Sequence, residues 1–258
     1  MSENILPAFP AECPLVSSED WIPSCNFEPR KNDGTIDMLL MHYTATPTTA
    51  TALELLTTKE GGVSSHYLVD GEGRIMQLVA EKNRAWHAGE AVWVGESDIN
   101  SCSIGIEIQN QGAALDVLPP YGRRQMEAVV ALSKDIVKRH NIPAHRVLAH
   151  SDVAPHRKQD PGVHFDWRRL ALEGVGLWVE AEGGVPGSEL VLLEQDVRDL
   201  QQKLLRFGYG LELTGLYDER TALVVTALQR HFRPARVDGV VDAETVRVLD
   251  LLLEAMKA

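Results

Sequence analysis

No stretch of this chain gathers five or six lysines or arginines, and its formal net charge is −12. Neither nucleic acid nor an anionic membrane surface is therefore an expected partner. Cysteine is scarce: Cys13, Cys25 and Cys102 make an odd number with no Cys-x-x-Cys spacing. That argues against a disulfide framework and suits a reducing compartment. The first twenty residues, MSENILPAFPAECPLVSSED, lack a basic start, an apolar run of seven residues and a small-residue cleavage site, so no secretory signal is expected. Glu12 stands before Cys13 with no hydrophobic segment upstream, which speaks against lipid attachment there. The expected location is the cytoplasm.

What is present is enough apolar residue, 44% of 258 positions, to bury a core across two domains. IDMLLMHY at 36–43 reads as a short apolar strand, SHYLVDGEGRIMQLVA at 65–80 as a hairpin around Gly71-Glu72-Gly73, and SIGIEIQN at 103–110 as a strictly alternating strand. TATALELLTT at 49–58 has helical composition. RRQMEAVVALSKDIVKRH at 123–140 places Met126, Val129, Val130, Ile136 and Val137 on one helical face, and Asn141 and Pro143 end it. With RVLAH at 146–150 as a further strand, the pattern predicts an α/β domain, a sheet covered by helices, over residues 1–180. Gly183, Gly184, Pro186 and Gly187 mark a linker placed at 181–187. Beyond it, TGLYDERT at 214–221 and DGVVDAET at 238–245 repeat at an offset of 24 residues. In each copy the glycine suits a tight turn, and the Asp and Thr three apart can cap the next helix. Residues 188–258 therefore read as a small three-helix domain. Leu200, Leu204, Leu228 and Phe232 give it apolar surface for packing or for a second chain, so a homo-oligomer is among the expectations.

Three candidate metal ligands stand at predicted strand ends or just beyond: His42 closing LLMH, His150 closing VLAH, and Asp160 on the loop ten residues later. Two imidazoles and a carboxylate with a fourth position left to water is the ligand count of a catalytic zinc site. Spacing alone leaves open the reading of two hydrogen-bonded histidines at a strand rim, since neither Cys-x-x-Cys nor His-Glu-x-x-His occurs. Glu107 adds weight. In GIEIQ the isoleucines 104, 106 and 108 alternate with Gly105, Glu107 and Gln109, so the strand aims one carboxylate away from its apolar face, where it can serve as a general base. Lys158, two positions before Asp160, can place an ammonium on the same side of an extended loop and stabilise an oxyanion.

Together, MHYTAT, SSHYLVDGEGRIMQLVAEKNRAWHAG, SIGIEIQN and AHSDVAPHRKQDPG resemble, in order, the zinc-dependent N-acetylmuramoyl-L-alanine amidases of the AmpD/AmiD type. Residues 188–258 are similar to the helical peptidoglycan-binding domain often joined to them. The resemblance spans about residue 35 to 258. It implies a central mixed β-sheet flanked by helices, Zn2+ on His42, His150 and Asp160, Glu107 as the catalytic carboxylate and Lys158 as the oxyanion partner. It further implies that His66, Trp86 and His87 line the substrate cleft, while His156 falls where no ligand is expected. The implied partners are muropeptides or peptidoglycan fragments. A binding domain without an export signal mixes the patterns of wall-acting and recycling members. Recycling of 1,6-anhydromuropeptides is the favoured expectation. The rivals are the same reaction on intact peptidoglycan, as remodelling or as a secreted effector, and a muropeptide-binding protein without catalysis.

Overall fold

The structure, a computed structural model, describes residues 10, 12–112, 119–181 and 190–257. Except for Ala181, the expected linker lies outside the described residues. In chain order the strands are β1 (Phe27–Pro29), β2 (Met38–Tyr43), β3 (Tyr67–Val69), β4 (Ile75–Gln77), β5 (Asn83–Ala85), β6 (Ser103–Ile108) and β7 (Val147–Ala149). The helices are α1 (Thr49–Thr57), α2 (Ile99–Cys102), α3 (Arg123–His140), α4 (His150–Val153), α5 (Trp167–Leu172), α6 (Glu194–Phe207), α7 (Glu219–Phe232) and α8 (Ala243–Ala255). Among the described residues no helix is long and apolar enough to cross a membrane.

Five strands form a mixed sheet in the order β4-β3-β6-β2-β7, with β4 antiparallel to β3 and the other neighbours parallel. The hairpin read at Gly71–Gly73 is the β3–β4 connection. The antiparallel pair of β1 with β5 was not foreseen, because three residues are too few to show an alternation. At the sheet centre β2 is covered on both sides, which is why its sequence is nearly continuous in apolar residues. Leu39 and Met41 face the layer of α3 and α5, together with Ile104, Ile106 and Ile108 of β6. Met38 and Leu40 face the opposite core. By the period of two, His42 emerges on that second side at the carboxyl end of the strand, in register with Glu107 of β6. Parallel strands open their crevices at this end.

Helix α3 buries Met126, Val129, Val130, Leu132 and Ile136 and ends at Asn141, whose φ of 53° is left-handed. The repeat also does what its chemistry suggests. The side chain of Asp218 accepts from Thr221 N–H at the start of α7, and that of Asp242 accepts from Thr245 N–H at the start of α8. Gly215 and Gly239 take φ values of 76° and 69°, and their amides donate to the side-chain oxygens of Gln201 and Gln229. Leu200, Leu204, Leu228 and Phe232 are all buried, in one core with Met38, Leu40, Leu148, Trp93 and Val153. The apolar face of the three helices is thus consumed within the chain, against the side of the sheet opposite α3.

Candidate metal centre

Three strands deliver the polar groups to one point. His42 is the fifth residue of β2, His150 follows the last residue of β7 and opens α4, and Glu107 is the fifth residue of β6. Asp160 returns on the loop after α4, held by Ser151 N–H donating to its carbonyl at 3.1 Å. The distances between ligand atoms are 2.9 Å from His42 Nδ1 to His150 Nδ1, 3.1 Å from His42 Nδ1 to Asp160 Oδ2, and 2.9 Å from His150 Nδ1 to Asp160 Oδ2. All three residues are buried.

The surrounding hydrogen bonds decide where the protons are. His150 Nε2 lies 3.0 Å from the Ala88 carbonyl, which only accepts, so Nε2 carries the hydrogen and Nδ1 presents a lone pair. Arg157 donates to the same carbonyl and to that of Glu90, fixing the loop that receives His150. For His42 the assignment runs through two further side chains. Ser103 Oγ donates its single hydrogen to the Ile99 carbonyl at 2.5 Å and can therefore only accept from His87 Nε2, at 3.4 Å. That leaves His87 Nδ1 as acceptor of the His42 Nε2 hydrogen at 3.0 Å, and His42 Nδ1 bare. Burial, with the His150 ring beside it, lowers the His42 pKa from 6.5 to about 4.

Two imidazole lone pairs and a carboxylate oxygen thus converge, with no proton assigned between the rings. Such a set repels itself unless a cation joins it. Tetrahedral coordination at about 2.0–2.1 Å spaces ligand atoms by about 3.3 Å, so the triangle fits one face of a small dication's shell after adjustments of a few tenths of an ångström. Among the described residues this is the group of three or more His, Cys, Asp and Glu side chains close enough to hold a metal ion.

A cavity of about 180 Å3 opens beside the triangle, lined by His42, His150, Asp160, Glu107, Lys158, Trp86, His87 and the Tyr43–Ala45 turn. Among the described residues Glu107 Oε2 is buried without a hydrogen-bond partner. Burial and the Asp160 carboxylate raise the Glu107 pKa well above 4.5, with Lys158 opposing. The Trp86 indole N–H is likewise buried without a partner. His156 is exposed. His66 departs from its expected place in the cleft. It is fully buried, its Nδ1 accepts from Gly105 N–H at 3.0 Å, its Nε2 lies 3.1 Å from the Asn83 carbonyl, and it does not line the cavity. His87 lines the cavity but is also the group behind His42. The ring has room because residue 105 is glycine: a Cβ there would lie 2.6 Å from His87 Cγ. The sequence reading missed this, along with Ser103 and Arg157. The available signal was the small residue at every inward position of SIG before Glu107.

Comparison with known proteins is consistent with this geometry. Residues 32–163 match the N-acetylmuramoyl-L-alanine amidase family and residues 194–249 a peptidoglycan binding domain family. N-acetylmuramoyl-L-alanine amidase AmiD of Escherichia coli K12 is 38% identical over 237 residues, covering 85% of this chain and 83% of that protein. The solved complex of AmiD from E. coli with anhydro-N-acetylmuramic acid-L-Ala-D-γ-Glu-L-Lys superposes with a TM-score of 0.77 at 38% identity, covering 86% of this chain and 90% of that one. AmpDh3 of Pseudomonas aeruginosa, solved with an anhydromuramic pentapeptide, gives 0.74 at 31% identity, covering 93% and 98%.

Proposed function

The chain belongs to the N-acetylmuramoyl-L-alanine amidase family, and from that premise we propose that it hydrolyses the amide between the lactyl group of N-acetylmuramic acid and the stem-peptide L-alanine, with zinc held by His42, His150 and Asp160. The observation that carries the proposal is the convergence of three lone pairs beside an unpartnered carboxyl. Two imidazoles and one carboxylate suit zinc, which when bound by three protein ligands supplies Lewis acidity at an open fourth position. Glu107 takes a proton from the attacking water and returns it to the leaving amine. A raised pKa helps both halves, since a carboxyl closer to neutrality is a better base when ionised and still a competent acid when protonated. The Lys158 ammonium faces the charge that develops on the former carbonyl oxygen. The buried Trp86 N–H offers a donor on the cavity wall.

The behaviour of Gly105 tests the metal assignment. Gly105→Ala must displace the His87 ring and with it the acceptor that orients His42. Zinc affinity measured by chelator competition should fall about tenfold, the lower end of what lost supporting hydrogen bonds cost a metal site.

The favoured substrate is the 1,6-anhydro form, cleaved in peptidoglycan recycling. Support comes from the two solved relatives, whose bound molecules are anhydromuramic peptides. The three unpaired cysteines fit a cytoplasmic setting. Zinc-loaded full-length enzyme should release peptide from an anhydromuropeptide at least as readily as from purified sacculi, read by mass spectrometry. Digestion of sacculi with no action on the anhydro fragment would transfer the enzyme to the intact wall. Binding of either without hydrolysis would make it a recognition protein.

A further inference from the structure

We infer that the C-terminal helical unit is part of the metal site's support: Tyr209 and His231 reach out of it to position the turn that carries His150. The junction is the side chain of Asp152, fully buried and two residues beyond His150. Its Oδ1 accepts from the Tyr209 hydroxyl at 2.8 Å. Its Oδ2 accepts from Ala149 N–H at 2.8 Å and faces His231 Nδ1 at 2.6 Å. A carboxylate has no hydrogen to give, so each of these bonds runs toward it. Ala149 is the residue immediately before His150. One carboxylate thus ties the entry of the turn to a helix and a loop more than fifty residues further on.

The neighbouring contacts make this junction rigid. His231 is stacked on Trp167 of α5, with ring centroids 3.7 Å apart, and Tyr209 meets Trp93 edge to face at 5.0 Å. Trp93 itself lies where a side chain on Gly208 would have to be, 2.4 Å from a Cβ there. A backbone bond crosses the same seam, from Val94 N–H to the Gly208 carbonyl, and within the catalytic domain Val92 N–H donates to the Val153 carbonyl at the far end of the turn. A module that only held glycan would need no buried hydrogen bonds to the catalytic turn. Here the unit completes the hydrogen bonding of Asp152, and the turn in turn holds Asp160 through Ser151 N–H. Tyr209 and His231 are positioning residues in this scheme, and neither touches substrate or metal.

The inference rests on the metal reading above only in its second readout. Tyr209→Phe and His231→Phe, in the full-length chain, each keep an aromatic ring in place and delete one donor to Asp152. Leu228→Ala serves as comparison, because it loosens the same shared core and removes no hydrogen-bond donor to Asp152. In the metal-free proteins, amide exchange at Ala149 should speed up at least about tenfold in both donor-deletion variants and less in Leu228→Ala. Zinc affinity by chelator competition should fall about tenfold in the same two variants, with an altered visible spectrum of the cobalt form. Leu228→Ala should lower the melting temperature yet leave affinity and spectrum within twofold of the wild type. Unchanged exchange and affinity in folded Tyr209→Phe and His231→Phe would overturn the inference, and so would equal losses in Leu228→Ala. Should the wild type bind no zinc while the donor variants still open at Ala149, the positioning role stands and the metal reading fails.

Discussion

Alanine at His42, His150 or Asp160 should remove zinc from the purified protein and cut amide hydrolysis by at least about 10³-fold. The size follows from what a Lewis acid contributes to a developing oxyanion, several kcal/mol, at about 1.4 kcal/mol for each factor of ten. Each ligand is buried and shares the triangle with the other two, so no exposed group stands ready to take its place. Zinc content by atomic absorption and hydrolysis of an anhydromuropeptide check the result together. A chelated wild type should match the variants, and full activity in a verified metal-free sample would end the zinc assignment. Buried histidines in the site and behind it set a pH dependence of stability. Burial lowers the pKa values of His42 and His66 from 6.5 to about 4 and about 3. The unfolded chain therefore takes up protons that the folded chain refuses as pH falls below about 6.5. The contribution of these histidines to the stability of the metal-free protein should be full above that pH and decline as pH drops toward 4. Melting curves of chelated Glu107→Gln protein across that range read the slope without the opposing contribution of Glu107, whose raised pKa favours the folded state as pH falls, and a flat profile there would contradict the buried, neutral histidines.

How much of this could be read from the sequence depended on whether a residue's role is set by its own strand or by something arriving from elsewhere. His42 and Glu107 were legible because a period of two on a buried strand states which side a residue faces, and the parallel register then brings them level. His150 was legible as the end of a short apolar strand, and Asp160 from its loop beside it. The capping repeat was legible for the same local reason, as Asp218 and Asp242 act within four residues of themselves. The place of His66 was not, and neither was the second role of His87, which lines the cavity as expected. Both precede or follow strands in polar stretches that suit a cleft, yet one is taken by the backbone of Gly105 and the other by the second nitrogen of His42. Asp152 is the extreme case: in AHSDV it reads as a helix-start carboxylate, and its partners Tyr209 and His231 lie 57 and 79 positions away. The shared core has the same origin. Leu200 and Phe232 announce a buried face, but not that Met38, Leu40 and Leu148 are what they bury it against.

Glu107→Gln should separate binding from chemistry, keeping zinc and muropeptide affinity while lowering turnover by about 10²–10⁴-fold, the range of a positioned acid or base. Glutamine is nearly isosteric, so the packing of β6 between β2 and β3 should survive. The carboxyl is not needed for the fold: Oε2 is buried without a partner among the described residues, and its ionised form is disfavoured there by burial and by Asp160. Removing that charge should therefore leave the melting temperature of the metal-free protein unchanged or raise it at neutral pH. A structural glutamate would behave in the opposite way, losing stability together with activity. The pH profile supplies a second check. Below its pKa Glu107 is protonated and cannot accept from water, so kcat/KM of the wild type should fall as the medium becomes acidic. That limb should vanish in Glu107→Gln, leaving a low rate with little dependence on acid until the histidine ligands protonate. Wild-type turnover in the glutamine variant, or an acid limb that persists in it, would move the base to another group on the cavity wall.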